Sequence, residues 1–235
     1  MPFFSSVEAK LAYGRPNPPS SASGGSLLFT ASSTSGISIP NDVDLRMGTG
    51  DFTIEWFQYQ LAGSGTYHRI FSIGTYPSAS IAISQEGSDA SKDFYAWVPS
   101  GSVIASALNM VNTWIHFAIC RSGSTFRVFQ NGTQLGTNVS VATNFNDTTN
   151  VLRIGNQSST AANTAFNGYI TNFHWVKGTA LYTANFTRPT RPITPVANTK
   201  LLLLATASGS AFTDSSGLGK TATGTGVAWN ALTPF

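Results

Sequence analysis

From Ser26 onward the chain carries short apolar runs, each broken by Gly, Ser, Asn or Pro: LLF, ISI, FTIEWFQY, RIFSIG, SIAIS, FYAWV, WIHFAIC, FRVFQ, LRIG and YITNFHWV. Runs of this length, rich in β-branched and aromatic residues, predict strands. In WIHFAIC, Ile115, Phe117 and Ile119 take one face and His116, Ala118 and Cys120 the other. Asn131-Gly132, between FRVFQ and TQLG, predicts a two-residue hairpin, because both turn positions need positive φ. Tyr169 to Val176 alternates as a strand does, with Tyr169, Thr171, Phe173 and Trp175 on one face and Ile170, Asn172, His174 and Val176 on the other. Both faces carry bulk, so this strand is expected to be covered on both sides. GTALYTANF then predicts a short turn or helix, the prolines Pro189, Pro192 and Pro195 stop any continuation, and Leu201 to Ala205 reads as a last apolar strand. Many short strands joined by polar turns imply an all-β fold, a β-sandwich or jelly roll of two antiparallel sheets.

Composition agrees with that reading. Charged residues make up only 10% of the 235 residues, so long surface helices would lack the Lys and Glu they prefer. The formal charge of +3 comes from scattered Lys and Arg, with no run that could track a phosphate backbone, so nucleic acid is not expected as a direct partner. Cys120 is the single cysteine, which excludes an intrachain disulfide and suggests a small buried thiol. The first residues lack the basic stretch and apolar core of a signal peptide, and no apolar run approaches the ~18 residues of a membrane span. Residues 1–25 differ in character from the rest, reading as an arm and a Pro/Ser/Gly linker ahead of one sandwich at 26–235. Phe3, Phe4 and Tyr13 are the anchors by which such an arm would dock, on this domain or on a neighbouring protein.

Particular stretches carry a family resemblance. Phe166, Gly168, Tyr169, Ile170 and Phe173, then Lys177, Gly178, Ala180, Tyr182, Thr183, Asn185, Phe186, Thr187 and Pro189, fit a recurring text; Asn198, Thr199 and Leu201 to Leu203, Asp214 to Gly217, and Pro234 with Phe235 continue it. DLRMGTGDFTIEW and TWIHFAICRSGSTFRVFQNGTQLG extend the match upstream. Over about residues 26–235 the chain resembles the laminin-G-like branch of the concanavalin A-like lectin/glucanase fold, in the version found in structural proteins of phages and large DNA viruses. It departs from that text at Trp175, Thr179, Leu181 and Arg188, and Leu181 in place of the usual arginine removes an expected ion pair. The resemblance implies a non-enzymatic virion component, a minor capsid, decoration, fibre or tail protein made in the host cytoplasm. Its partners would be other virion proteins or copies of itself, with cell-surface glycans as a further class and a carbohydrate-binding module as the alternative reading.

Because the fold also includes glycoside hydrolases, catalytic acids need a test. Retaining hydrolysis needs two carboxylates about 5–5.5 Å apart, and inverting hydrolysis roughly 6.5–9.5 Å. The glutamates are Glu8, Glu55 and Glu86, and the same-face neighbours of Glu55 along its strand are Thr53 and Phe57, neither of them an acid. No catalytic residue is assigned on this basis. His68, His116 and His174 lie in or beside strands, outside any nucleophile-elbow context, and His116 reads as a hydrogen-bonded packing residue. No cofactor is expected; relatives that hold Ca²⁺ make Glu86, Asp89 and Asp93 weak metal candidates, diluted by Lys92, while Asp42 and Asp44 read as a turn. In DFYAWVP, Phe94, Ala96 and Val98 share one face and Tyr95 and Trp97 the other. If the first face is core, Tyr95 and Trp97 form a platform on which a sugar could stack, although packing in the core or between sheets is the first expectation for both.

Overall fold

A computed structural model describes residues 24–62, 66–88, 91–98, 101–108, 110–157 and 164–235. Two antiparallel sheets face each other. The first runs in the order β10 (Thr133–Ser140), β9 (Thr125–Gln130), β8 (Trp114–Ser122), β3 (Phe52–Gln60), β12 (Asn167–Lys177), β1 (Ser26–Thr30) and β15 (Val227–Asn230), with β13 (Thr199–Leu203) beside the second half of β12. The second runs β14 (Thr223–Thr225), β2 (Gly36–Ile39), β11 (Leu152–Ile154), β4 (Tyr67–Ile73), β5 (Ile81–Ser88), β6 (Ser91–Val98) and β7 (Gly101–Leu108).

The inner faces meet in one apolar layer. Trp56 of β3 lies near its centre, stacked against Phe117 of the same sheet and against Phe94 of the opposite one, with Phe71 edge-on at 5.7 Å. Its indole Nε1 donates to Gln58 Oε1 at 2.8 Å, so the one polar atom of the ring is satisfied inside the core. Removing that side chain would cost about 3–5 kcal/mol by the usual cost of a large buried aromatic.

The long β12 strand corrects the simple alternation expected for it. Between Thr171, opposite Phe57, and His174, opposite Glu55, the register shifts by one residue, and Asn172 takes φ of 53°. This β-bulge reverses the face parity. Ile170, Phe173 and Trp175 enter the core, while His174 points to the outer face with Glu55 and Thr171 pairs with outward-facing Phe57.

A strap at 178–198 covers the outer face of the first sheet. GTALYTANF contains no helix; its polar backbone groups bond to strands instead. Thr53 Oγ1 donates to Thr179 O and accepts from Leu181 N, Phe186 N donates to Gly132 O, and Ile193 N donates to Asn172 Oδ1 at 2.7 Å. Beneath the strap, Tyr182 and Phe186 stack on each other and pack over Ala118, Cys120 and Phe129. The hairpin at Asn131-Gly132 has φ of 49° and 82°, as the sequence predicts. A side chain at Gly132 would run into the Phe186 carbonyl, so glycine also permits the strap to land on the hairpin tip.

Candidate functional site

The outer face of the second sheet carries an aromatic hollow. Cross-strand register puts Tyr67 opposite Glu86 and Glu86 opposite Asp93; Arg69 opposite Ser84 and Ser84 opposite Tyr95; Ser72 opposite Ala82 and Ala82 opposite Trp97. Strand pleating sends each of these rows to one side. Phe94, Ala96 and Val98 face the core, whereas Tyr95 and Trp97 are partly exposed on the outer face, which corrects the first expectation that both would be packed away.

The turn between β4 and β5 adds a further ring to this surface. Gly74 starts it at φ of 86°, and Ser78 N to Thr75 O and Ser80 N to Ile73 O close it. It presents Tyr76, 44% exposed, edge-on to Trp97 with ring centroids 4.8 Å apart. Behind Trp97 lies Tyr95, nearly parallel at 10° and 5.3 Å. Burial, helped by the charges of Asp93 and Glu86, raises the Tyr95 pKa and keeps its hydroxyl protonated.

Polar groups fix these rings. Glu86 Oε1 accepts from Arg69 Nη1 at 3.0 Å, Ser84 Oγ at 2.7 Å and Trp97 Nε1 at 3.1 Å. Its Oε2 makes no bond among the described residues. Arg69 Nε donates to Gln157 Oε1 at 3.0 Å, and its guanidinium lies 5.5 Å from the Tyr76 ring centre. Tyr67, Arg69, Tyr76, Glu86, Trp97, Gln157 and Thr164 enclose about 410 Å³, within the roughly 300–1,000 Å³ of small-molecule sites. Flat aromatic surfaces beside a carboxylate, an amide and a guanidinium held in place by their neighbours are what a polyhydroxylated ring requires: stacking for its C–H face and paired acceptors and donors for its hydroxyls.

Sequence reasoning found Tyr95, Trp97 and, as a metal candidate, Glu86. Arg69, Tyr76 and Gln157 come from a bulged strand, a turn and a segment far along the chain, and no local pattern joins them. Of the weak metal candidates, Glu86 and Asp93 are cross-strand neighbours, while Asp89 lies outside the described residues. Lys92, beside them on β6, is fully buried, and its Nζ donates to Gly87 O at 3.0 Å. Among the described residues no group of three His, Cys, Asp or Glu is arranged to hold a metal ion. Asp42 and Asp44 both bind the Lys220 ammonium, and Asp214 is taken up by the backbone N–H groups of Leu202, Ser216 and Lys220. Phe3, Phe4 and Tyr13 lie outside the described residues.

A second polar centre lies under the strap. Glu55 Oε2 accepts from His116 Nε2 at 3.0 Å and from Tyr182 OH at 2.9 Å, and Oε1 from His174 Nδ1 at 2.8 Å. His174 Nε2 meets Thr199 Oγ1, which itself accepts from Val196 N. Through its two ring nitrogens His174 thus links Glu55 to Thr199 at the end of the strap. Burial pushes the Glu55 pKa up, but the hydrogen bonds and charge of His116 and His174 outweigh it and bring it down to about 2. The adjoining cavity of about 310 Å³ has Glu55 as its single carboxylate among the described residues.

Two facing antiparallel sheets and a hollow of aromatic and planar polar groups define a lectin-like jelly roll. Residues 31–182 match the family described as the concanavalin A-like lectin/glucanases superfamily, and the chain belongs to that family, in its laminin-G-like branch. A heptameric SAP-like pentraxin from Limulus polyphemus aligns over 89% of this chain and 95% of its own length, with a TM-score of 0.59 at 11% identity. Domains LG4-5 of the mouse laminin alpha1 chain align over 70% of this chain and 46% of theirs, with a TM-score of 0.44 at 15% identity. Tailspike protein 2 of bacteriophage CBA120 aligns over 72% and 32%, with a TM-score of 0.45 at 13% identity. At these identities the likeness is one of fold. No curated protein matches the sequence. Among the described residues, no helix is long and apolar enough to cross a membrane.

Proposed function

We propose that the chain is a non-enzymatic recognition domain that binds a glycan in the Trp97–Tyr76 hollow. The observation that carries this is the pairing of two contacting, partly exposed aromatic rings with Glu86 and Gln157, whose orientations are set by Arg69, Ser84 and Trp97 before any ligand arrives. Preorganised groups of this kind lower the entropy cost of binding. The non-enzymatic part draws support from the acids: each of the two cavities is lined by one carboxylate among the described residues, and glycoside hydrolysis uses a pair.

A glycan array probed with the wild type and with Trp97→Ala tests the reading. Loss of a central aromatic anchor should weaken binding by about 2 kcal/mol, roughly thirtyfold. Binding by the wild type should persist in EDTA, since no cofactor is required. Failure to bind any glycan would reject the proposal, and glycan turnover abolished by Glu55→Gln or Glu86→Gln would reject its non-enzymatic part.

The setting follows from the sequence text shared with structural proteins of phages and large DNA viruses. In it the domain is a virion component, held by contacts with other particle proteins or with copies of itself, and the 1–25 arm with Phe3, Phe4 and Tyr13 is the segment assigned to docking. Mass spectrometry of purified particles is expected to find the protein; its absence would remove the virion role while leaving glycan recognition standing.

A further inference from the structure

We propose that the aromatic hollow is one end of a longer groove whose other end, at Arg153, takes the acid group of an anionic oligosaccharide; this rests on the glycan-binding reading above. A second hollow of about 300 Å³, lined by Gly74, Thr75, Thr149, Asn150, Val151, Arg153 and Gln157, lies on the same side of the second sheet. Gln157 is the wall common to both. Its Oε1 is held by Arg69 Nε, while its amide NH₂, on a residue only 8% exposed, makes no bond among the described residues. That donor is left for a ligand crossing from one hollow to the other.

The register gives the groove its length. Arg153 pairs with Ser72, Ser72 with Ala82 and Ala82 with Trp97, so Arg153 and Trp97 stand three strand spacings apart on one row, about 14 Å. The two residues between them, Ser72 and Ala82, are small and fully buried, so the path from one hollow to the other runs over Gln157 and not along the sheet surface. That span is longer than one sugar ring and suits a short oligosaccharide.

Charge decides which oligosaccharide. Arg46, Arg69 and Arg121 are each committed, to Asn41, to Glu86 and Gln157, and to the carbonyls of Gly48, Gly123 and Thr143. The Arg153 side chain makes no hydrogen bond or ion pair among the described residues, although it is partly buried beside hydroxyl and amide groups. The nearby Asp147 carboxylate is occupied by Thr149 and Asn150. A guanidinium without a counter-ion is suited to a carboxylate or sulfate, which it can bind through two parallel N–H groups. The other end has the opposite preference, because a ring over Trp97 meets the free Glu86 Oε2, which accepts from hydroxyls and repels anions. The groove therefore selects a sparsely charged chain, with its acidic sugar at Arg153 and a neutral sugar at Trp97.

An array of matched neutral, carboxylated and sulfated oligosaccharides, followed by titration calorimetry, tests this. The wild type should bind a singly acidic oligosaccharide roughly tenfold to a hundredfold more tightly than its neutral parent, as expected for one charge-assisted contact, and added salt should shrink that margin. The carboxylate and sulfate arms report which anion fits better. Arg153→Gln, with an unchanged melting temperature, should reduce the affinity for the acidic ligand to that for the neutral one. Equal binding of acidic and neutral ligands by the wild type, with Trp97→Ala still abolishing it, would overturn the anionic preference and spare the glycan reading. A retained preference in Arg153→Gln would overturn the role of Arg153. An array on which nothing binds would overturn both.

Discussion

At position 55 a carboxylate that is 1% exposed is surrounded by His116, His174 and Tyr182, which come from β8, β12 and the strap. Its folded pKa of about 2 lies below the ordinary 4.5, so its contribution to stability is complete above about pH 5 and is lost as the pH falls through 4.5 towards 2. The difference corresponds to something on the order of 3 kcal/mol. Glu55→Gln should therefore be destabilised by that amount in urea at pH 7, and the gap to the wild type should narrow near pH 3; an equal gap at both pH values would refute the assignment. The strand carrying Glu55 was legible from its alternation, as was the absence of an acid beside it. That three donors from distant segments converge on it was not, because hydrogen bonds across 61, 119 and 127 residues leave no trace in local periodicity. The same reason hid Arg69, Tyr76 and Gln157, while Tyr95 and Trp97, two apart on one strand, could be read as sharing a face.

Two elements show how far patterning reaches. The Asn131-Gly132 hairpin was readable because its chemistry is local. The bulge at Asn172 was not, since one extra residue inside an otherwise regular apolar strand has no sequence mark, yet it brings His174 to Glu55 and frees the Asn172 side chain to hold Ile193. The strap read as a turn or short helix, but Thr53 and Gly132 satisfy its backbone from outside, and a helix would forgo those bonds. Gly132→Ala combines a strained φ with a collision against the Phe186 carbonyl. We expect a loss on the order of 2 kcal/mol and faster hydrogen exchange at the Phe186 amide. Unchanged exchange there would mean that the strap does not depend on this landing point.

For the molecule as a whole, the alternating runs announced two sheets but not the order of their strands, which long-range pairing alone decides. The borders show this best. β14 pairs with β2 at the edge of one sheet and, one residue later, β15 pairs with β1 at the edge of the other, with Gly226 between them at φ of 60°. Truncation before Thr223 would bare both edges at once. The shortened chain should melt at lower temperature and aggregate on warming, as unpaired strand edges do, which scanning calorimetry with light scattering would register. Retention of the full melting temperature would show that the segment is dispensable. A ribosome builds such a molecule from its N-terminal side, so β1 and β2 leave the exit tunnel long before the residues that seal them. Until then both edges are open to neighbouring nascent chains, and the sandwich closes only when 223–230 emerge, which makes the presence of a holding chaperone matter more here than in a fold whose edges are paired early.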